Sequence, residues 1–378
     1  MTRSRLRILM PSIVNPAISR GGAWTVTRGL VELFRRGPWN AEVITLVPPE
    51  PFWRRLRQAA CLASAHWTGI PAKVRFLRHR AFWNQVRWKL AREHFDLLVI
   101  NGSDLFWCLE EASPQISTLA VVHNREAQLY AEQVATTIPR AHLLHRLLLA
   151  DSARLRQFEI EGLRRVQAAI FLSESDAADF SILIPGLDHL VLPPQFSDAP
   201  QRISKHPSSW LDLGLLANFQ WWPNCDGANW FIQEILSRLP GDVRLHLFGN
   251  RSLKTAAAYP RIVAHGFVGD LREVWRMCDW MVIPIRHGSG ISVKAAESLY
   301  HGMPILATSF GLRGLPAIEH PQIVRRETAE EWVSFLSSPE ARMLCKKRLP
   351  LSVSRHFELE ANLSRFVHFL SRLLRKRR

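Results

Sequence analysis

MVIPIRHGSGISVKAAESLYHGMPILAT, residues 281–308, contains a complete structural unit. An apolar run from Met281 to Ile285 breaks at Arg286 into a turn holding Gly288, Ser289 and Gly290. A helical stretch with Lys294 and Glu297 follows, His301-Gly302-Met303-Pro304 ends it, and a second apolar run begins. Strand, glycine turn, helix, Gly-x-Pro stop and strand make one βαβ unit, which predicts a parallel sheet. Parallel sheets take ligands at the carboxyl ends of their strands, where this turn falls. Free N–H groups and the dipole at a helix start favour an anion, and glycines let it come close. Gly290, Ile291 and Ser292 lead into the predicted helix, over residues 290–299. Glu297 stands where it can accept hydrogen bonds from hydroxyls beside the anion. The bland alternative is an ordinary turn with a surface glutamate.

Outward from this unit, the same alternation continues. Apolar runs at 6–14, 42–47, 95–100, 119–123 and 168–172 read as strands, with helical stretches at Ala23–Arg36 and Leu143–Arg165. A basic, aromatic region between them reads as two helices broken near Gly69-Ile70-Pro71. From Asp188 to Pro207 the texture turns to prolines and polar residues, a linker signal. The pattern then restarts: strands at 211–216, 243–248 and 262–265, a helix at Asp226–Leu239, and one capped by Asp270. Hairpin turns are lacking, so the sheets should be parallel and doubly wound. A last apolar helix, His356–Leu374, runs into Arg375-Lys376-Arg377-Arg378.

Residues 281–308 resemble the donor site of the family-4 retaining glycosyltransferases of GT-B fold. That family's signature is Glu, seven residues, Glu, then an Ala-x-Gly-x-Pro stop. Glu297 matches the second glutamate and His301–Ile305 the stop, whereas Ser289 occupies the place of the first. The departure resembles a subgroup with Gly-Ser-Gly-Ile-x-x-Lys before the surviving glutamate. The resemblance implies that Glu297 binds the ribose of a nucleotide-sugar. It leaves the contact to the donor sugar, made by the first glutamate, without a matching side chain.

Other segments carry the resemblance further. Gly21-Gly22 matches a glycine loop that in the family approaches the donor phosphate; the residues alone also fit a plain turn. His123-Asn124-Arg125-Glu126 stands where relatives place a histidine near the acceptor. His123 and Glu126 are thus the candidate catalytic residues, His123 for positioning or proton transfer. A structural histidine and a helix-capping glutamate remain the alternatives. Leu216–Trp230 resembles the subgroup's Gly-Ser-Met-x-Trp-x-Pro-Asn segment but lacks the family's diphosphate-binding arginine and lysine. Asn218 is a polar candidate there, and Arg251, Arg286 and Lys294 are candidate replacement cations. Gly249 closes the preceding strand. His265–Asp270 matches a Gly-Phe-Val-x-Asp turn that holds the base, which brings in Phe267 and Val268.

The resemblance implies α/β architecture of GT-B type: two facing Rossmann-like domains, with the last helix crossing back to the N-terminal one. The expected boundaries are 1–192 for the acceptor domain, 193–210 for the linker, 211–354 for the donor domain and 355–378 for the returning helix. The implied activity is metal-independent, hexosyltransferase-type transfer from a nucleoside-diphosphate sugar to a polysaccharide or lipid-linked glycan, as in bacterial cell-envelope synthesis. It uses no cofactor beyond the donor substrate. A sugar-nucleotide epimerase of the same fold and a non-catalytic membrane-associated partner protein are the competing readings.

Composition supplies a partner expectation. The formal net charge is +16, and residues 1–100 hold 17 Lys/Arg against 5 Asp/Glu. Between Phe52 and Arg92 the basic residues alternate with Trp53, Trp67, Phe76, Phe82, Trp83 and Trp88. Arginine with tryptophan suits an anionic membrane surface better than nucleic acid. A solvated basic face is the alternative. The five cysteines show no metal or redox spacing, and no apolar run is long enough to span a bilayer. The expected location is cytoplasmic, peripheral on the inner face of the cytoplasmic membrane.

Overall fold

The computed structural model describes residues 6–17, 21–46, 54–200, 203–252 and 259–375. The chain divides into two compact units: residues up to Gln195 together with those from Asn362 on, and Phe196–Ala361.

The first unit contains, in order, β1 (Leu6–Ser12), α1 (Gly22–Arg36), β2 (Trp39–Thr45), α2 (Arg54–Thr68), α3 (Ala72–Leu77), α4 (Arg80–Arg92), β3 (Leu97–Asn101), β4 (Ser117–Val122), α5 (Glu126–Thr137), α6 (Leu143–Arg165), β5 (Ala168–Phe171), α7 (Glu174–Leu183) and β6 (Asp188–Val191). Its sheet runs β2-β1-β3-β4-β5-β6, and every pairing is parallel. Buried strands such as Leu97–Ile100 are uniformly apolar because helices cover both faces. Strand order reverses between β1 and β3, and there Ser12 lies opposite Asn101. The last helix, Leu359–Arg375, supplies Phe366, Phe369, Leu370 and Leu373 to this unit's core. Phe366 meets Phe34 and Trp39 edge to face, with ring centroids 5.2 and 5.8 Å away.

The second unit contains β7 (Leu211–Leu216), α8 (Trp222–Trp230), β8 (Val243–Phe248), β9 (Ile262–Gly266), α9 (Leu271–Met277), β10 (Trp280–Ile283), α10 (Val293–Tyr300), β11 (Ile305–Ala307), β12 (Ile323–Arg325) and α11 (Ala329–Ser337). Its parallel sheet runs β12-β11-β10-β7-β8-β9. This is the Rossmann order, with the switch point between β7 and β10. Asp270 caps α9 through the Arg272 N–H (2.9 Å), and Thr328 with Glu331 forms a capping box on α11.

Several elements differ from the sequence expectation. The helix expected over 290–299 starts at Val293, because Gly290 has φ of 72°, outside helical space. The helix expected at Asp226–Leu239 starts at Trp222, with Pro223 in the first turn where proline fits. It then passes through a π turn at Phe231–Ile235 and a 3-10 turn at Leu236–Arg238. The basic aromatic region forms three helices, broken at Thr68–Pro71 and again at Arg78-His79. Within the expected Asp188–Pro207 linker signal, Asp188–Val191 pairs with β5 as an edge strand.

Candidate functional site

In the second unit, the glycine turn after β10 faces the switch point. Arg313, which follows the short helix Ser309–Leu312, staples the turn: its Nε donates to the Ser289 carbonyl (3.0 Å), and its own carbonyl accepts from the Ser292 N–H (3.2 Å). Gly288 has φ of 135°, and a Cβ there would lie 2.8 Å from the Arg313 guanidinium. Only glycine gives both that backbone and that clearance.

Lys294 and Glu297 rise from the first turns of α10, three residues apart and so on one side of it. Both keep some solvent exposure yet are walled by protein. Burial, with the Arg313 charge nearby, pulls the Lys294 ammonium down to about 7. Burial alone pushes the Glu297 carboxyl up to about 7. Lys294 Nζ donates to Asn224 Oδ1 (2.5 Å), and Asn224 Nδ2 donates to the Asn218 carbonyl (2.9 Å). Lys294 thus has a neutral acceptor in place of a carboxylate. A cation and a carboxylate, each poised near neutrality at a helix start, can accept an anion and a diol respectively.

The ends of β7, β8 and β9 tie together beside this turn. The Gly249 N–H donates to the Gly266 carbonyl (2.6 Å), and the Gly266 N–H donates to Ser252 Oγ (2.9 Å). At Gly249, with φ of 123°, a Cβ would stand 1.9 Å from the Ala217 carbonyl oxygen. Arg251 is exposed and has φ of 65°, the one positive-φ residue other than glycine among the described residues. Phe267 is exposed and Val268 half-buried just past β9.

Arg286 behaves differently from the expectation of a diphosphate cation. Its guanidinium grips Asp226 bidentately (2.6 and 3.0 Å) and lies over the Trp230 ring (5.5 Å), so its charge is already matched. Arg313, absent from the sequence expectations, is the cation at the turn. No local signal marks it, because it joins the turn only after the chain has passed through β11.

In the first unit, three strand ends converge. Asn101, ending β3, donates through Nδ2 to Ser12 Oγ (3.0 Å) on β1 and Thr27 Oγ1 (2.9 Å) on α1. Both hydroxyls donate elsewhere, to the Val14 and Ala23 carbonyls, so they must accept from Asn101. This fixes the Asn101 amide with Oδ1 toward His123 Nε2, 2.7 Å away. Nε2 therefore carries the hydrogen and Nδ1 presents a lone pair. Burial pulls His123 down to about 4 despite nearby Glu126, so the ring is neutral at physiological pH. Such a ring positions a hydroxyl well and is a weak base. Gly21 and Gly22 open α1, one turn before Thr27.

Glu126 opens α5, where its Oε2 accepts from Lys73 Nζ (2.6 Å) and its Oε1 from Asn124 Nδ2 (3.0 Å). Lys73 also meets Asp104 (2.8 Å). Glu159 on α6 caps α5 through the Glu126 and Ala127 N–H groups (3.1 and 3.0 Å). Burial raises Glu159 to about 7 and Asp104 to about 6, whereas the Lys73 charge offsets burial and holds Glu126 below the usual range. Glu126 is thus committed to an ion pair. The sequence reading missed Asn101 and Glu159, although each carries a signal. Asn101 is a polar residue closing an apolar strand, and Glu159 falls in the buried stripe of Asp151, Leu155 and Leu163.

With two parallel Rossmann-like sheets and a last helix that returns to the first unit, the fold is GT-B. Residues 211–336, a third of the chain, match the family model of the glycosyl transferases group 1. Among solved structures, sucrose-phosphate synthase from Thermosynechococcus elongatus is similar, with a TM-score of 0.71 at 14% identity, covering 98% of this chain and 100% of that one. Anabaena HepE in complex with UDP and glucose gives 0.62 at 13% identity, covering 97% and 99%. The match to TarM (0.57, 10% identity) covers 76% of this chain, which spans 58% of the length of TarM. A search of curated proteins finds no match.

Proposed function

We propose that the protein is a retaining glycosyltransferase that moves a sugar from a nucleoside-diphosphate sugar to a hydroxyl of a polysaccharide or lipid-linked glycan. The observation that carries this reading is the Lys294–Glu297 pair. A lysine without a carboxylate partner and a glutamate raised by burial share the start of α10 beside the Gly288–Gly290 turn. The diphosphate would take Lys294, Arg313 and backbone N–H groups in the first turn of α10; the ribose hydroxyls would take Glu297. These groups stabilise charge that develops as the diphosphate departs. In the transfer, the bond from the anomeric carbon to the phosphate oxygen breaks and a bond from that carbon to the acceptor oxygen forms. The acceptor proton passes to the leaving phosphate, and the weakly basic His123 orients the hydroxyl. The family match and the ligands of HepE, UDP and glucose, support a nucleotide-sugar donor. We place the protein in the cytoplasm, where nucleotide-sugars are made.

Calorimetry with UDP, GDP, ADP and dTDP, followed by nucleotide-sugars bearing the bound base, tests the proposal. A transferase hydrolyses its donor slowly to free sugar of retained anomeric configuration. Conversion to an epimer would replace this reading with the epimerase. Failure to bind any of the four would refute the donor site.

A further inference from the structure

Two stretches of the chain hold no Asp or Glu: residues 51–92, with ten Lys and Arg, and residues 133–150, with Arg140 and Arg146. The first unit brings them together. The Ala72 N–H, just past the turn after α2, donates to Asp151 on α6 (3.0 Å), and Arg154 lies 3.4 Å from His66. On this face Trp67 is 86% exposed, Leu143 70%, Leu144 46% and Leu147 42%. Leu143, Leu147 and Arg154 follow one stripe of α6, with Leu144 and Arg146 on its flanks. Asp151, the acid within this stretch of α6, is buried and turned to Ala72.

Single exposed leucines are ordinary; three in the first turns of one helix, in a stretch of chain without acids, are not, and the next exposed acid on their stripe is Glu161, about two turns beyond Arg154. First turns of helices usually gather acids against the dipole, but α6 has none there and shows its leucines outward. Residues 139–144 are all exposed, so the start of α6 stands open to solvent.

We infer that this patch docks on an anionic lipid bilayer. Exposed leucines with Arg140 and Arg146 among them, and no acid from 133 to 150, fit a soft interface that is apolar inside and anionic at its surface. The arginines around them then meet lipid phosphates. The patch differs from the one that tryptophan and arginine spacing indicates. Phe82 is buried against Trp107 (5.8 Å), and Trp83 is half-buried, its indole N–H donating to Glu111. Trp53 and the side chains of Arg54 and Arg55 lie outside the described residues, as do Lys376, Arg377 and Arg378.

The test is flotation of the full chain with vesicles of phosphatidylcholine, alone or mixed with phosphatidylglycerol. The chain should rise with the mixed vesicles only, and binding should weaken about tenfold or more as added salt shortens the Debye length. Leu143→Ser with Leu144→Ser and Leu147→Ser should lower binding at least about tenfold, leaving circular dichroism unchanged. Arg140→Glu with Arg146→Glu should do the same. Wild-type protein left behind by mixed vesicles at low salt overturns the inference. So does equal binding by the leucine variant, or binding to duplex DNA with no flotation, or a dimer that dissociates in the leucine variant while vesicles stay bare. No donor or acceptor takes part, so failure here leaves the transferase reading intact.

Discussion

Glu297→Gln separates two properties that the wild-type carboxyl combines. In the free protein, burial makes the charged form unfavourable, and the carboxyl rises to about 7. The folded form therefore binds its proton more tightly than the unfolded chain. That contribution to stability is full below the unfolded value of 4.5 and is lost as pH rises through about 7. At pH 8 the wild type carries a charge that the fold resists. With a discount for its partial exposure, the glutamine variant should be more stable there by roughly 1–2 kcal/mol. Nucleotide binding should move the opposite way. A charged hydrogen bond to ribose is worth roughly 1.5–3 kcal/mol, so affinity for whichever nucleoside diphosphate binds should fall by about tenfold to a hundredfold at pH 8. Toward pH 6 the wild-type carboxyl is mostly protonated and the difference between the two proteins should shrink. Thermal unfolding with and without that nucleotide at both pH values measures both effects. The melting temperature of the free variant should rise while its shift with ligand falls. A variant that binds the nucleotide like the wild type at pH 8 would refute the ribose assignment.

Three further outcomes follow from the geometry. Lys294 loses its charge above about 7 while Glu297 gains its own, so the lysine is read in the Glu297→Gln background: affinity for the bound nucleoside diphosphate should decline there with rising pH, and adding Lys294→Met should weaken binding and remove the decline in calorimetry. His123→Ala should lower turnover by about a hundredfold with donor affinity unchanged. Because His123 stays neutral down to about 4, the wild-type rate should show no limb near 6.5 that this variant removes; an intact rate with lowered thermal stability would make the ring structural. Gly249→Ala places a Cβ against the Ala217 carbonyl in left-handed backbone and should destabilise the second unit by on the order of 3 kcal/mol in denaturant titration.

The alternation of apolar runs with helical stretches made the parallel sheets legible, because strands covered on both faces need no polar alternation. The edge strands β6 and β12 escaped: at four and three residues, with half-buried patterns, they have little hydrophobic signal. Local spacing exposed the glycine turn, Lys294 and Glu297, which are close neighbours in sequence. Contacts set by sheet order stayed hidden. Asn101 finds Ser12 across 89 residues, and Arg286 finds Asp226 across 60, which is why that arginine read as an available cation. The nearly neutral His123 was equally invisible, since its protonation depends on what surrounds it.

The last helix gives the chain a particular order of assembly. On the ribosome, the first unit emerges early with helices α1 to α7 and all six strands, yet it lacks Phe366, Phe369, Leu370 and Leu373 until synthesis is nearly over. Throughout translation of the second unit, Phe34 and Trp39 lack their aromatic neighbour and present an apolar groove. Nascent chains in that state are the natural clients of a holding chaperone. A message truncated shortly before residue 359 would yield a product with a nearly complete second unit and a sticky, unfinished first unit, prone to aggregate.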